Sequence, residues 1–156
     1  MRSLNFFFVI VVFLFSFSLF SLAEEISRTA TVLALEGSAS IKTGPDSDWL
    51  SLAEGDIVSE KSVLRTNSNS KVKLLLNGEV ETAIVWIKPN SQLFLSTLTE
   101  NPEETRQNTL LDLAIGEILI KAQKLHAQDS KFEVKTPTSI VGVRGTTFAV
   151  TVQAEE

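Results

Sequence analysis

The 156-residue chain contains no cysteine. Disulfides, zinc–thiolate sites, a cysteine nucleophile and iron–sulfur clusters are therefore excluded, as is the lipid-bearing cysteine of a bacterial lipoprotein. An exported domain without disulfides has to be held by its core alone. Histidine is almost as scarce, with His126 the sole imidazole. A multi-histidine metal site is impossible, and a Ser-His-Asp triad would need His126 as its base. The polar stretch from Lys124 to Ser130 fits a solvated loop histidine better. Basic clusters are missing as well. With a net charge of −5 and no patch of Lys or Arg, nucleic acid and anionic membrane surfaces are poor partners. Helical signals are weak. Residues 122–128 could form a turn or two and residues 101–107 hold capping-type residues, but neither carries an apolar stripe. There are no heptads, no low-complexity tract and no repeat of fixed period. Asp46-Ser47-Asp48 is the nearest fragment to a calcium loop and is too short for one.

What is present begins with Met1-Arg2 and an uncharged, mostly apolar run over residues 4–20. Ser21-Leu22-Ala23 then places small residues three and one before a cut, and Glu24-Glu25 follows. This layout predicts a secretory signal peptide over residues 1–23, cleaved between Ala23 and Glu24. The run is somewhat short for a membrane span, which needs about 20 apolar residues; an uncleaved N-terminal membrane anchor is the alternative. No span is expected after cleavage. Residues 24–156 make one domain, long enough to bury roughly two-thirds of its unfolded surface.

Period-two alternation dominates that domain and marks strands with one buried face. In Lys131-Phe132-Glu133-Val134-Lys135 the two apolar residues oppose three charges, and Phe148, Val150 and Val152 alternate with Thr147, Ala149 and Thr151. Ser38 to Lys42 and Lys71 to Leu74 are shorter versions. Ala83 to Ile87 is apolar on both faces and reads as a strand buried on both sides, or as one crossing the middle of a sandwich. Turn residues fall between the runs: Thr43-Gly44-Pro45-Asp46, Gly55-Asp56, Asn77-Gly78, Lys88-Pro89-Asn90-Ser91, Gly116 and Thr136-Pro137-Thr138. Asn77-Gly78 suits a two-residue type I′ hairpin. Residues 100–107 form the longest loop, and Gly116 splits two strands. Short strands with frequent turns predict an all-β fold, an antiparallel-rich sandwich or β-roll of about ten to twelve short strands.

Few residues suggest chemistry. Glu79 and Glu81 share one strand face about 7 Å apart, a spacing a glycosidase pair could use. Pairing with Lys71 and Lys73 across the hairpin explains them without catalysis. Trp86 lies inside an apolar run and reads as core. Trp49 follows a turn and reads as packing, with sugar stacking the sharper alternative. Near the C-terminus, Arg144 precedes Gly145, whose lack of a Cβ suits a positive-φ turn. The guanidinium would lock turn carbonyls or a carboxylate, or else contact an anion or partner. Neither a cofactor nor a metal is expected, since no coherent nucleophile, base or metal set is visible.

The segment FEVKTPTSIVGVRGTTFAV, ending at Val150, resembles the end of the FecR domain, with Thr136, Pro137, Arg144, Gly145, Thr146 and Phe148 at its motif positions. Upstream, VLALEGSASIK, the stretch holding Gly55-Asp56, the hairpin of Asn77-Gly78 with its following PNS, and LLDLAIGEILIKA around Gly116 are similar in order. The likeness runs from Thr29 to Val152. One departure is Ser59-Glu60-Lys61, where relatives often have a second glycine. The resemblance implies a non-enzymatic envelope module, periplasmic or secreted, that binds a ligand, an envelope protein or a cell-wall component. The alternative is a sensory or regulatory component acting with a separate membrane partner. Sigma-factor-binding and C-terminal signalling segments of the namesake regulators have no counterpart between Met1 and Glu156, so the anti-sigma role is not carried over.

Overall fold

The computed structural model describes residues 24–78, 83–123 and 129–153. The expected signal peptide with Ala23, the Glu79–Glu81 pair and His126 lie outside these residues. Thirteen strands account for the described fold: β1 (Ile26–Ser27), β2 (Thr29–Glu36), β3 (Ala39–Lys42), β4 (Leu50–Ser51), β5 (Ile57–Ser59), β6 (Val63–Thr66), β7 (Lys71–Leu76), β8 (Ala83–Ile87), β9 (Gln92–Asn101), β10 (Arg106–Ala122), β11 (Lys131–Lys135), β12 (Ile140–Gly142) and β13 (Thr147–Val152). The fold is all-β, as the alternation predicts, and the sheet curls into two facing layers. The first layer runs β4-β3-β6-β9-β10-β11-β12, with β1 added to β9; the second runs β13-β10-β8-β7-β2-β5. Every pairing is antiparallel except β10 with β11.

The layers close over one core. Val72, Leu74 and Leu76 of β7 and Phe132 and Val134 of β11 are buried, as their alternation requires. Leu64, Leu93, Leu95, Leu111, Leu113, Ile118 and Ile120 have no solvent exposure. Each such side chain contributes roughly 1.5–3 kcal/mol relative to an exposed one, which is how a cysteine-free chain of this size holds together.

β10 belongs to both layers. Its first half pairs with β9 and β11, and its second half, from Gly116 onward, pairs with β8 and β13. The sequence reading of Gly116 as a break between two strands is corrected here: hydrogen bonding is continuous and the strand turns a corner. Gly116 has φ +97°, and a Cβ there would lie 2.5 Å from the Cα of Ser91. The hydroxyl of Ser91 accepts from the Glu117 N–H at 3.0 Å and lies 3.2 Å from the Glu117 carbonyl. A second corner joins β2 to β3. Gly37 has φ +76°, and the Ser70 hydroxyl accepts from the Ser38 N–H at 2.9 Å. Each serine follows an asparagine in the left-handed region, Asn90 at φ 55° and Asn69 at φ 56°. One local device thus occurs twice without a sequence period.

Three further readings change. Leu76 pairs with Ala83, so Asn77-Gly78 opens a connection over residues 77–82 and does not form a two-residue hairpin. Asn77 is used differently, its amide donating to the Thr29 and Thr31 hydroxyls at 3.0 Å. The long loop expected over residues 100–107 narrows to residues 102–105, because β9 and β10 stay paired out to Asn101 and Arg106. The Asn101 side chain caps that turn by accepting from Glu103 and Glu104 N–H groups. Trp86 is half-buried on the outer face, with the Lys73 ammonium 5.7 Å from its ring centroid, while Ala83, Val85 and Ile87 supply the core. Lys71 pairs with Glu36 at 3.4 Å, a solvated contact of little energetic weight.

Candidate functional site

The fold scatters the motif residues over several turns. Gly55 and Asp56 form a turn against β2. Gly55, at φ +89°, donates its N–H to the Val32 carbonyl, and the Asp56 carbonyl accepts from the Val32 N–H, both at 2.9 Å. This clamp sits at the β-bulge between Val32 and Ala34, where the extra residue leaves ladder groups free for it. The Asp56 carboxylate accepts from the Ala53 N–H at 2.8 Å. Asn77 and Gly78 lie at the start of the β7–β8 connection, and Gly116 at the corner. None of these forms a site with the C-terminal motif.

Thr136 and Pro137 lie at the end of β11 nearest Thr151 and Val152 of β13, whereas Arg144, Gly145, Thr146 and Phe148 lie at the opposite ends of these strands, toward Phe132 and Ala122. Thr136 opens the turn from β11 to β12: its N–H donates to the Ser139 carbonyl at 2.8 Å, and its hydroxyl accepts from the Ser139 N–H at 3.0 Å. Pro137 is exposed at the tip of that turn. Gly145 has φ +64°, as the turn expectation requires, and carries the chain from β12 in one layer to β13 in the other. Arg144 is exposed and makes no hydrogen bond or ion pair with a described residue, so it does not lock the turn.

The locking arginine is Arg28, which the sequence reading missed. It is 5% exposed and donates from Nε to the Thr99 carbonyl and from Nη1 to the Asn77 carbonyl, both at 3.1 Å. Its Nη2 reaches the Asn108 carbonyl and the Thr109 hydroxyl. One guanidinium thereby ties the entry to β2 to the ends of β7, β9 and β10, a use of five fixed donors. A single arginine before an apolar strand carries no local signal of this; its partners are distant in sequence.

The open side is built from two edge strands. Among the described residues, β12 pairs only with β11, and β13 only with β10. Ile140 and Val141 of β12 are 64% and 40% exposed. In β13, Phe148, Val150 and Val152 pack against the core but remain half-buried, because no strand among the described residues continues the layer beyond them. The Ala122 N–H bonds the Thr146 carbonyl, and Phe148 lies opposite Ile120. Alternation in an antiparallel ladder then directs the N–H and C=O groups of Thr147, Ala149 and Thr151 away from β10, toward the free edge. Edge strands are ordinarily guarded by charge, proline, a bulge or shortness. The opposite edges follow that rule: β4 has two residues, and β5 has three set between Asp56 and Glu60. β13 has six residues, Thr-Phe-Ala-Val-Thr-Val, with no charge, no proline and no bulge. A cleft of about 480 Å³ lies beside its end, lined by Thr136, Pro137, Thr151 and Ile115 among others.

Among the described residues no three His, Asp or Glu side chains gather as a metal site, and no helix is long and apolar enough to cross a membrane. Neither the curated proteins nor the solved structures contain a match to the chain. The profile described as FecR protein matches residues 62–156. That span is well over half of the chain and holds β6 to β13, including the Gly116 corner and the open side. The strands before it share the same core through Ala30, Val32 and Val58. This chain belongs to the FecR family, a regulatory family linked to transmembrane signalling.

Proposed function

We propose that the chain is an exported, non-enzymatic binding module of the cell envelope, freed of residues 1–23 by cleavage after Ala23, and that it docks a partner protein by strand addition along β13. The observation carrying this reading is the unguarded edge of β13, with three residues offering outward N–H and C=O groups beside half-buried Phe148, Val150 and Val152. A partner strand would satisfy the ladder groups and cover the apolar row in one step, main-chain bonds giving affinity and alternate side chains giving selectivity. Family membership favours a second, compatible reading. The partner is then a membrane protein of a signalling system and the module its sensory or regulatory component.

The test uses the full chain in its own cells. A photo-crosslinking residue at Ala149 or Thr151 is expected to trap one envelope protein, whereas the same probe at Glu36, four strands away in that layer, is not. Ala149→Pro removes one outward N–H and leaves the ladder to β10 intact. It should abolish the adduct formed from position 151 while shifting the melting temperature by less than about 5 °C. Adducts at 149 and 151 no stronger than at 36 would overturn the reading.

A further inference from the structure

A second surface lies on the outward face of the first layer, away from both free edges. Cross-strand partners there form rows. Lys42, Val63, Phe94 and Asp112 lie side by side on β3, β6, β9 and β10, and Ser40, Arg65, Gln92 and Ile115 form the next row. The first row is the floor of a groove of about 580 Å³, lined by Val63, Phe94 and Ala114 with Lys42 and Lys61 at its rim. The Gly44-Pro45 turn forms its lip. That lip is fixed by Ser47, whose hydroxyl accepts from the Gly44 N–H at 3.0 Å and donates to the Gly44 carbonyl at 2.9 Å. Gln92 is shared with an adjoining cleft of about 550 Å³ that contains Arg65, Asn67, Ser68 and Asn90. Trp49, 38% exposed, stands against Arg65 of the second cleft, whose guanidinium lies 4.4 Å from its ring centroid and donates to the Gln92 amide oxygen at 2.9 Å. Both clefts open to solvent, and they make one track across the sheet.

Three features select the class of ligand. β6 and β9 are hydrogen-bonded on both sides, so an extended peptide finds no free backbone groups on this face and recognition has to proceed through side chains. The side chains present are ring faces, amides and hydroxyls: Phe94 and Gln92 on β9, and Trp49, Asn67, Ser68 and Asn90 in the turns and connections beside the strands. Amides and hydroxyls donate and accept together, as a polyhydroxylated chain requires, while ring faces cover its apolar C–H surfaces. Charge is the third feature. In a chain of net charge −5, the track collects Lys42, Lys61 and Arg65. Asp112 on the same row is neutralised by Lys135 at 3.3 Å, and Lys61 also lies 3.5 Å from Glu60. Lys42 has no hydrogen bond or ion pair to a described residue. Lys61 holds a left-handed conformation, φ 66°, at a cost of about 1–2 kcal/mol for a side chain with a Cβ. Strain of this kind tends to persist at binding sites, and here it fixes an ammonium at the rim of the groove.

We infer that this outer face binds a linear glycan bearing carboxylates, with Trp49 and Phe94 as ring contacts, the amides and hydroxyls on the sugar hydroxyls, and Lys42 and Arg65 on the acid groups. The site is independent of the β13 edge.

The experiment is calorimetric titration of the purified chain with a defined panel: muramic-acid-containing glycan strands, oligogalacturonate and oligoglucuronate of four to six sugars, each beside its carboxyl-reduced counterpart. At least one acidic member should bind one-to-one below about 1 mM, its reduced counterpart at least about tenfold more weakly. Lys42→Gln and Trp49→Ala should each weaken binding at least about fivefold, with unchanged thermal melting confirming the fold. Ala149→Pro, which disrupts the other surface, should bind the glycan like the native chain. Absence of binding below that concentration across the panel, equal binding of the reduced counterparts, or unaltered binding by both folded variants would each overturn the inference.

Discussion

The two corners of the roll solve one problem with different margins. At each, a glycine in the positive-φ region meets a serine whose hydroxyl is bonded to the backbone just past it. At Gly37 the nearest atom to an added Cβ is the Ser70 hydroxyl at 2.4 Å, with backbone atoms at 3.0 Å. At Gly116 the Ser91 hydroxyl is 2.1 Å away, and behind it the Ser91 Cα and Cβ are both 2.5 Å away. A hydroxyl can rotate aside, and the Ser91 backbone, bonded through its N–H and carbonyl to Thr66, cannot. The position of each corner explains the difference. Gly37 joins two separate strands and the chain can yield on either side. Gly116 lies inside one continuous strand whose halves are fixed by four neighbours.

The largest expected effect is that of Gly116→Ala. Left-handed strain of about 1–2 kcal/mol and overpacking of about 1–3 kcal/mol add to a loss of roughly 2–5 kcal/mol. Gly37→Ala should cost only about 1–3 kcal/mol, the same strain with at most about 1 kcal/mol of overpacking, and equal losses on urea denaturation of the two variants would break the comparison. A smaller effect sharpens it. Ser70→Ala, introduced into Gly37→Ala, removes the one contact under 3.0 Å and should recover about 1 kcal/mol, whereas Ser91→Ala introduced into Gly116→Ala leaves the Cα and Cβ contacts at 2.5 Å and should recover less; the two double-mutant cycles measure this. Smallest of all are the left-handed residues themselves. Asn69→Gly and Asn90→Gly should change stability by less than about 0.5 kcal/mol, since asparagine tolerates that region. Lys61→Gly, away from either corner, should raise the melting temperature through a gain of about 0.5 kcal/mol, the relieved strain being partly offset by added freedom in the unfolded chain.

Much of the scaffold is legible in the residues. Alternation in β7, β11 and β13 assigns their buried faces correctly, and Thr136-Pro137 and Gly145 stand at turns as their chemistry requires. The misreadings share a cause. Ala83 to Ile87 is apolar at every position, so parity alone cannot say that Trp86 faces outward and Val85 inward; that choice belongs to the pairing with β7 and β10. Asn77-Gly78 would suit a tight hairpin in isolation, but the asparagine is drawn to Thr29 and Thr31 of β2 and the strands pair four residues later. Arg28 and Lys61 carry no local signal at all. Their roles depend on carbonyls of Thr99, Asn77, Asn108 and Ser96 that only folding brings near. The outer-face track is equally invisible in the linear text, since its rows draw on four strands spread between Ser40 and Ile115.

By itself, the order of residues determined that the chain folds as pleated strands, which faces of most strands turn inward, and that thiol chemistry is impossible. A period of two and the absence of cysteine are local properties that no partner can change. Tertiary structure alone decided that β10 serves both layers, that Arg28 is buried, that β13 is left as an unguarded edge, and that Lys42, Arg65, Gln92 and Trp49 meet on one face. Register between distant strands sets each of these, and it is chosen by the whole core closing at once.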